Sequence, residues 1–591
     1  MEAGEMRIDD APGAGEDVVC LEHVSFRYAG QTEPALRDVT LRVRQGEMVV
    51  VMGATGAGKS TLAKCLNRVV PAFQPGELTG NLALFGQPVR HEGVAELAGR
   101  VGLVSQDFEA QLFATNVVQE IAFGMEQLGV GAEEMRRRVP NALQTVGLAG
   151  FERRDPATLS GGEKQRLAIA ATLALQPRIL VFDEPTTDLD PLGKLEIFAV
   201  LAAMRRQGYT LLVIEHEIAA ADDADRLVVM SEGRIVADDA PRQVLARVDF
   251  LSQHGVRAPD LQRLAARLEL MPRPCSLDGA ERMLRGLGAG GRGSEGESRA
   301  PGLTPSPRSL PPLLVADRIQ FSYADGAWVL DDVSVTIDVG EFVAIIGQNG
   351  SGKTTLAKHL NGLLTPTAGS IRLRGMDIRG VPINAVAMDV GYVFQNPDHQ
   401  IFAGTVFDEV AFGPQNMSLP PADVGERVQG ALQAVGLGGL EDEDPFLLGK
   451  GQRQRLAVAS LLALRPRVLI LDEPTTGLDF AEQRQMMDLL RGLHARGMAI
   501  VIITHTPWVV AEYAQRGVLM AGGRVLVDAP LRQLFEQETL LAEAHFCAPD
   551  VTRLGRRFGF TPLSVEEFCQ WMDAGGWARA TGQRPRAATD D

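Results

Sequence analysis

The sequence is poor in the residues that would place it in several protein classes. Only five of its 591 residues are cysteine, and no two of them show the CxxC spacing of a zinc site or a redox pair. Their number is odd and their positions are scattered, at Cys20, Cys65, Cys275, Cys547 and Cys569. A disulfide framework is therefore not indicated, and the composition fits a reducing compartment.

Long hydrophobic runs and an excess of positive charge are also missing. The longest apolar runs, such as MAIVIIT and RILVF, are far shorter than the ~20 residues that a membrane-spanning helix needs. The first residues, MEAGEMRIDDAPGAGED, lack the pattern of a signal peptide. A formal net charge of −17 argues against a chain whose main task is to neutralise nucleic-acid phosphates. Any role at a membrane is thus expected to be that of a peripheral subunit.

What the chain does contain is a very long internal repeat. GATGAGKSTLAKCLN begins at Gly53 and GQNGSGKTTLAKHLN begins at Gly347. Related segments also follow the two copies, APDLQRLAARLEL from Ala258 and APDVTRLGRRFGF from Ala548. Residues 286–312 are rich in Gly, Ser and Pro, a composition typical of a disordered tether. The predicted organisation is a disordered tail (1–17), a first module (18–250) with a helical extension (251–285), a linker (286–312), a second module (313–541), and a second helical extension with a tail (542–591).

Within each module, short runs rich in β-branched residues alternate with longer amphipathic segments. GEMVVVMG precedes KSTLAKCLNRVV, and RILVFDEP precedes LGKLEIFAVLAAMRRQG and then TLLVIEH. Strands and helices that alternate at this spacing favour a parallel sheet covered by helices. Each module is therefore predicted to have an α/β fold.

Both copies contain a glycine-rich phosphate-binding motif of the form GxxxxGK[ST], placed between a strand-like and a helix-like run. Glycines allow backbone N–H groups to surround phosphate oxygens, and the helix N-terminus and the lysine add positive charge. The predicted nucleotide-binding residues are Gly53, Ala54, Thr55, Gly56, Ala57, Gly58, Lys59, Ser60 and Thr61, and in the second copy Gly347, Gln348, Asn349, Gly350, Ser351, Gly352, Lys353, Thr354 and Thr355.

An acidic pair follows a buried strand in each copy, in RILVFDEP and RVLILDEP. The first member, Asp183 or Asp472, is predicted to lie beside the phosphate loop and to hold the water shell of Mg²⁺. The second member, Glu184 or Glu473, is then placed to polarise a water for attack on the γ-phosphate. An acidic pair alone could be a solvated strand end, but its combination with the phosphate loop favours catalysis.

Taken together, these motifs resemble the ATP-binding cassette (ABC) ATPases over nearly all of both copies. The resemblance implies two P-loop NTPase (RecA-like) ABC nucleotide-binding domains in tandem. Each is expected to have an antiparallel β subdomain, a helical subdomain and a short C-terminal helical extension. It further implies ATP and Mg²⁺ as cofactors and the hydrolysis of ATP to ADP and phosphate.

The remaining motifs of the family can be matched in order, and their roles are implied by the resemblance. Tyr28 and Tyr323 match the aromatic residue that stacks on adenine, although each could also be an ordinary tyrosine on a strand face. His216 and His505 match the switch histidine and complete the catalytic set with Glu184 and Glu473. The Q-loop residues are Gln106 and Gln395, and the D-loop residues are Asp190 and Asp479. Mg²⁺ is expected at Ser60, Gln106 and Asp183 and at Thr354, Gln395 and Asp472.

The signature segment differs between the copies. It reads LSGGE in the first, with Ser160, Gly161, Gly162 and Glu163, and LGKGQ in the second, with Gly449, Lys450, Gly451 and Gln452. Family members pair head to tail, so the resemblance implies an internal pseudo-dimer in which LGKGQ faces Lys59 and LSGGE faces Lys353. The loss of the serine hydroxyl predicts slower turnover at the Lys59 site. Lys450 could strain the turn or partly restore the lost attraction for phosphate.

The segments between Q-loop and signature resemble one branch of the family more closely. In both, an acidic residue lies two positions before a glutamine, which is followed by an apolar residue and then by Phe113 or Phe402. This resembles the ATPase component of energy-coupling factor (ECF) importers for vitamins and transition-metal ions. It implies a membrane-embedded T component and a substrate-binding S component as partners, and a peripheral position on the cytoplasmic face of the cell membrane, with no nucleic acid bound. The alternative is a soluble twin-cassette ATPase that acts on ribosomes or DNA.

Overall fold

The computed structural model describes residues 16–89, 91–187, 189–274, 276–287, 312–323 and 326–574. Nearly all of the predicted N-terminal tail, most of the linker, and Cys275 lie outside these ranges. The chain forms two compact units, Met1–Pro259 with Asp479–Ala481, and Asp260–Leu478 with Glu482–Asp591. The residues after Pro259, predicted as an extension of the first module, thus group with the second unit.

The described residues of the first unit form ten strands in two sheets. A four-stranded antiparallel sheet has the order β2-β1-β4-β5, and a six-stranded sheet has the order β10-β9-β3-β8-β7-β6. The strands are β1 (Asp17–Tyr28), β2 (Leu36–Arg44), β3 (Met48–Gly53), β4 (Gly76–Leu84), β5 (Gln87–Pro88), β6 (Val101–Val104), β7 (Ile179–Asp183), β8 (Thr210–Ile214), β9 (Arg226–Ser231) and β10 (Arg234–Asp239).

The helices of the first unit surround the larger sheet or form a separate helical segment. They are α1 (Lys59–Leu66), α2 (Val69–Ala72), α3 (Val94–Leu97), α4 (Val117–Gln127), α5 (Ala132–Thr145), α6 (Gly161–Ala174), α7 (Pro191–Arg206), α8 (Pro241–Leu245) and α9 (Val248–Gln253), with short 3-10 turns at Glu109–Gln111, Pro156–Thr158 and Ile218–Ala221. The segment between Q-loop and signature folds as α4 and α5, both packed on α6.

The core strands of the larger sheet are buried along their whole length. Every residue of β3, β7 and β8 is buried, which explains their continuous runs of Val, Ile and Leu. Strands β3, β6, β7, β8 and β9 run parallel and β10 pairs antiparallel with β9. The predicted α/β fold is confirmed, and so is the antiparallel β subdomain, which is the four-stranded sheet.

The second unit repeats this architecture. Its sheets have the orders β12-β11-β14-β15 and β16-β17-β18-β13-β19-β20. The strands are β11 (Leu314–Ser322), β12 (Trp328–Ile337), β13 (Phe342–Ile346), β14 (Ala368–Leu373), β15 (Met376–Asp377), β16 (Val390–Val393), β17 (Val468–Asp472), β18 (Ala499–Ile503), β19 (Arg516–Ala521) and β20 (Arg524–Pro530).

Two helices of the second unit, α10 (Asp260–Arg267) and α11 (Leu277–Leu287), precede β11 in the chain. The helices that follow it are α12 (Lys353–Leu360), α13 (Ile383–Ala387), α14 (Val406–Asn416), α15 (Pro421–Ala434), α16 (Lys450–Leu462), α17 (Phe480–Ala495), α18 (Pro507–Tyr513), α19 (Leu531–Phe535), α20 (Glu538–Glu543), α21 (Asp550–Arg556) and α22 (Val565–Asp573), with 3-10 turns at Pro397–His399 and Pro445–Leu447.

The two predicted extensions share one hydrophobic core within the second unit. Leu264 and Leu284 from α10 and α11 pack with Leu554 and Phe568 from α21 and α22, and each of these side chains is at most 2% exposed. Ion pairs between the extensions cover this core, among them Arg557 with Glu281 at 2.8 Å. The amphipathic pattern of LQRLAARLEL therefore reflects packing.

Candidate functional site

Three loops emerge at one edge of the larger sheet in each unit. In the first unit, β8 lies between β3 and β7, with Ile214 in register with both Val51 and Asp183. Because these strands are parallel, their carboxyl ends meet at the same edge, where ligands of open α/β sheets bind. The second unit places Ile503 of β18 between Ile345 and Asp472 in the same way. The phosphate loop, the acidic pair and the switch histidine are thus brought together in both.

The phosphate loops have backbone conformations that only glycine fits. Gly53 has φ +149°, and a Cβ there would lie 2.1 Å from the carbonyl oxygen of Met230. Gly347 has φ +145° and the same 2.1 Å approach to Met520. Any side chain at either position would clash with the adjacent strand. These two glycines therefore let the loop turn closely over the end of β9 or β19.

The lysine of each phosphate loop points back into its own loop. Lys59 Nζ donates to the carbonyl oxygens of Gly53 and Ala54, both at 2.9 Å. Lys353 Nζ donates to Gly347 at 2.9 Å and to Gln348 at 2.8 Å. Each lysine is buried, so its charge is held inside the loop where phosphate oxygens would bind.

A hydroxyl group and a carboxylate meet beside each phosphate loop. Ser60 Oγ donates to Asp183 Oδ1 at 3.0 Å, and Thr354 Oγ1 donates to Asp472 Oδ2 at 2.7 Å. These are oxygen ligands of the kind that Mg²⁺ prefers, and Mg²⁺ is commonly held by one carboxylate together with substrate phosphates. No group of three His, Cys, Asp or Glu side chains that could hold a metal occurs in the described ranges. The residues therefore fit an Mg²⁺ ion that the nucleotide helps to bind.

The glutamates after β7 and β17 have an unusual backbone conformation. Glu184 has φ +53° and Glu473 has φ +51°, a region that non-glycine residues rarely occupy. Such strain is concentrated at functional sites. His216 Nε2 lies 3.0 Å from Glu184 Oε1, and Gln106 Nε2 donates to Glu184 Oε2 at 2.7 Å. The predicted Q-loop, switch and catalytic residues of the first unit thus converge on one carboxylate.

In the second unit, fewer of the predicted residues contact the catalytic glutamate. His505 Nδ1 lies 2.7 Å from Glu473 Oε2, and Thr476 Oγ1 donates to the same oxygen at 2.8 Å. Across the described residues, Gln395 does not form a hydrogen bond like that of Gln106. Asp472 has an additional partner, because the buried Tyr392 hydroxyl donates to its Oδ2 at 3.0 Å.

The environment separates the acidities within each acidic pair. Burial, reinforced by the neighbouring charge of Glu184, raises the pKa of Asp183 to about 6. Burial would also raise the pKa of Glu184, but the hydrogen bond and charge of His216 lower it instead. In the second unit, burial raises the pKa of Asp472. The charge of His505 outweighs burial and lowers the pKa of Glu473 to about 2. The glutamates are therefore held ionised, as a residue that accepts a proton from water must be.

The two signature segments both open a helix, but with different caps. Ser160 Oγ accepts the Glu163 N–H at 3.3 Å, while Glu163 Oε2 accepts the Ser160 N–H at 2.7 Å. At the start of α16, only the bond from Gly449 N–H to Gln452 Oε1 remains, at 3.0 Å. Lys450 lies in the first turn of α16 without a positive φ, so the alternative that it strains the turn is wrong.

The ammonium of Lys450 lies against Gly477. A Cβ on Gly477 would be only 2.2 Å from Lys450 Nζ, so the lysine fills space that the glycine leaves. Asp190 caps α7 by accepting the Gly193 N–H at 2.8 Å, and Asp479 is buried.

The two tyrosines predicted to stack on adenine differ in exposure. Tyr28 is partly buried, and its hydroxyl lies 3.1 Å from Thr61 Oγ1. Tyr323 is 50% exposed, and its ring lies nearly perpendicular to that of Phe321 with the centroids 4.8 Å apart. The ring of Tyr323 therefore offers the larger free surface.

Two buried residues at this sheet edge were not predicted. Glu215 follows β8 directly, and Tyr392 lies on β16 beside Asp472. Glu215 could have been noticed as a charge that directly ends the apolar run TLLVI. Tyr392 gave no comparable signal, since an aromatic residue in a strand is ordinary.

Comparison with known proteins agrees with this geometry. The family described as ABC transporter matches residues 36–187 and 330–476. A protein of Caldanaerobacter subterraneus subsp. tengcongensis is 44% identical over 93% of this chain and 98% of its own length. One from Methanosarcina acetivorans is 41% identical over 91% of this chain and 89% of its own. The names of both assign them to ABC transporters as ATP-binding proteins.

Among solved structures, cbiO1 from Clostridium perfringens is 34% identical, covering 42% of this chain and 99% of its own, with a TM-score of 0.37. Its title describes it as part of the ABC transporter complex cbiONQ. The chain belongs to the ABC transporter family and carries two copies of its ATPase domain. It is an ATP-hydrolysing enzyme. No helix in the described ranges is long and apolar enough to cross a membrane.

Proposed function

We propose that the chain is the energy-coupling ATPase of an ECF-type importer for a vitamin or a transition-metal ion. A matched pair of exposed aromatic residues on each helical segment carries this proposal. Phe113 and Phe123 pack edge to face at 4.5 Å and are 63% and 41% exposed. Phe402 and Phe412 do the same at 4.7 Å, with 60% and 47% exposure. Exposed apolar patches of this kind mark interaction sites.

A buried glutamate holds each of these aromatic pairs in place. Glu120 Oε2 accepts the N–H groups of Phe113 and Ala114 at 2.9 and 2.7 Å. In the second unit, Glu409 Oε2 accepts those of Phe402 and Ala403 at 3.0 and 2.9 Å. These N–H donors compensate the burial of each carboxylate and fix the backbone at Phe113 and Phe402, so both aromatic pairs are held at the surface in a defined geometry. The proposed partner is a cytoplasmic helix of the T component, bound in a helix-in-groove mode, with the S component carrying the substrate.

The proposed mechanism assigns one step to each group of residues. Lys59 and Lys353 exchange their loop carbonyl partners for the β- and γ-phosphates of ATP. Mg²⁺, held by Ser60 with Asp183 and by Thr354 with Asp472, would neutralise developing phosphate charge. Glu184 and Glu473 accept the proton of the attacking water, and His216 and His505 orient the γ-phosphate. Tyr28 and Tyr323 would contact adenine.

We further propose, from the resemblance, that the two ATPase domains act as an internal pseudo-dimer. In it, the signature segment of each domain completes the ATP site of the other. ATP would then favour the closed state because it contacts both domains there. The missing hydroxyl at Gly449 would make the Lys59 site the slower of the two. This proposal includes the predicted domain boundaries, the predicted site residues and a position of the chain at the cytoplasmic face of the membrane.

Site-specific photo-crosslinking tests the proposed partner. A crosslinking amino acid at position 123 or 412 is expected to capture an integral membrane protein in cells. The same group at Phe73 or Trp328, which are 73% and 51% exposed, is expected not to capture it. Capture of ribosomal protein or DNA instead would favour the soluble twin-cassette alternative and contradict the importer proposal.

A further inference from the structure

A buried carboxylate in the first unit links two of the loops at the sheet edge. Glu215 is 2% exposed and anchored by its own N–H, which donates to the Val51 carbonyl at 3.1 Å. Its Oε1 accepts the N–H of Thr186 at 2.9 Å and the Thr186 hydroxyl at 2.6 Å. Its Oε2 accepts the N–H groups of His216 at 2.9 Å and Glu217 at 3.3 Å.

The two loops joined in this way carry the proposed catalytic pair. Thr186 lies two residues after Glu184, and His216 follows Glu215 directly. Burial raises the pKa of Glu215, and the hydrogen bonds from Thr186 and Glu217 oppose that shift. All four groups that contact the carboxylate are placed to donate, which suits the ionised form because it is an acceptor only. Hydrogen bonds to a charged acceptor are stronger than neutral ones, and a fully satisfied buried network is rigid. The 3.0 Å separation of His216 Nε2 and Glu184 Oε1 is therefore fixed from behind by Glu215.

Among the described residues of the second unit, no carboxylate makes the corresponding link. Thr504 occupies the equivalent position, and its hydroxyl accepts only the Thr506 N–H, at 3.1 Å. Within the described part of the chain it does not reach Thr475, the counterpart of Thr186. His505 also approaches its glutamate through Nδ1, whereas His216 uses Nε2. The second unit is thus a built-in comparison without the carboxylate.

We propose that Glu215 is a positioning residue for ATP hydrolysis in the first unit, acting through His216. It holds the histidine loop against the loop that follows Glu184, so that both catalytic groups meet the γ-phosphate in a fixed geometry. The proposal rests on the proposed roles of Glu184 and His216. It also adds a second difference between the two sites, independent of the signature segments.

Hydrogen exchange tests the link without relying on activity. In the nucleotide-free Glu215→Gln chain, the amides of His216 and Glu217 lose their charged acceptor. Exchange in a peptide covering residues 212–219 is expected to accelerate about 10-fold. Exchange in a peptide covering 501–508 is expected to stay unchanged. Unchanged exchange at 212–219, or equal acceleration in both peptides, would overturn the proposal.

Kinetics test the consequence for catalysis. With Glu473→Gln present, turnover reports the first unit, and adding Glu215→Gln is expected to lower kcat about 10- to 100-fold at constant KM for ATP. Glu133→Gln, the same change at an exposed position outside this network, is the matched control and should keep kcat within about two-fold. A raised KM with unchanged kcat contradicts positioning. If Glu473→Gln alone shows no turnover, that result counts against the proposed catalytic role of Glu184. The hydrogen-exchange experiment would still test the link that Glu215 makes between the two loops.

Discussion

At the scale of single residues, the main question is whether the two glutamates contribute equally to turnover. Glu184 and Glu473 share the same strained backbone and lowered pKa. Their proposed sites differ in the opposite signature segment, where Gly449 replaces a serine. A hydrogen bond to a charged group contributes ~1.5 to 3 kcal/mol, which corresponds to ~10- to 100-fold in rate if it acts wholly in the transition state.

We therefore predict that Glu473→Gln removes most of the steady-state ATPase activity and that Glu184→Gln leaves more. The measurement is phosphate release at saturating Mg-ATP for both variants. ATP binding by a fluorescent analogue is the control, because both variants should still bind. Equal losses of activity would show that the altered signature segment does not distinguish the sites.

A second prediction for a single residue concerns how much the buried Asp183 lowers the free energy of unfolding. Its pKa of about 6 lies above the reference value of 3.8, so the folded state retains a proton at pH values where the unfolded state has lost it. The wild type accordingly loses stability relative to an uncharged variant as pH rises through this window. The difference corresponds to about 3 kcal/mol at pH 7, before solvent relaxation reduces it.

In metal-free and nucleotide-free buffer, Asp183→Asn is expected to raise the free energy of unfolding at pH 7 and to change it little at pH 4. Urea denaturation at both pH values measures this. The exposed Asp442 provides the matched control, since Asp442→Asn should have no such effect. A variant that is less stable than wild type at pH 7 would contradict the prediction.

At the scale of helices and strands, the cap of α16 is the clearest difference between the two copies. Gly449 has φ −61° and ψ 156°, which any residue adopts, and the atom nearest to a Cβ there is Gln452 Oε1 at 3.6 Å. A serine would therefore fit. Since glycine is itself an acceptable N-cap, Gly449→Ser should gain only a few tenths of a kcal/mol in stability.

Gly449→Ser should change turnover more than it changes stability. In the Glu473→Gln background, Gly449→Ser is expected to raise kcat at the first site about 10-fold, because in the proposed pseudo-dimer the new hydroxyl would contact phosphate. Ser160→Gly in the Glu184→Gln background is the reciprocal control and should lower kcat. A gain in stability without a gain in rate would assign the asymmetry to another feature, such as Lys450.

Comparing the helices and strands with the sequence shows which features the sequence predicts and which it does not. The sequence predicts that the phosphate loop and Asp183 lie at one sheet edge, because the carboxyl ends of parallel strands meet there, and Ser60 does contact Asp183. The contact between Glu215 and Thr186 is not predictable from the sequence, because the two residues are 29 positions apart and meet only through the pairing of β7 with β8. The sequence of the extensions predicts amphipathic helices, but it does not state which helix covers which apolar face, so only the structure shows the shared core around Phe568.

At the scale of the whole molecule, the proposed coupling requires that the aromatic pairs bind a partner while the ATP sites work. Phe123 and Phe412 are partly exposed, so an aspartate at either position should cost little in folding stability. On a helix-in-groove surface, it should instead place an unpaired charge in a desolvated interface.

Phe123→Asp and Phe412→Asp are each expected to weaken binding to the purified membrane subunits about 10- to 100-fold, and the double variant should abolish it. The measurement is binding to vesicles that contain those subunits, together with ATP-dependent uptake. Phe73→Asp, at an exposed position at the end of α2, is the matched control and should bind normally. Thermal unfolding within a few degrees of wild type verifies the fold. If the double variant still supports uptake, the aromatic pairs are not the coupling surface, and the importer proposal loses the observation that carries it.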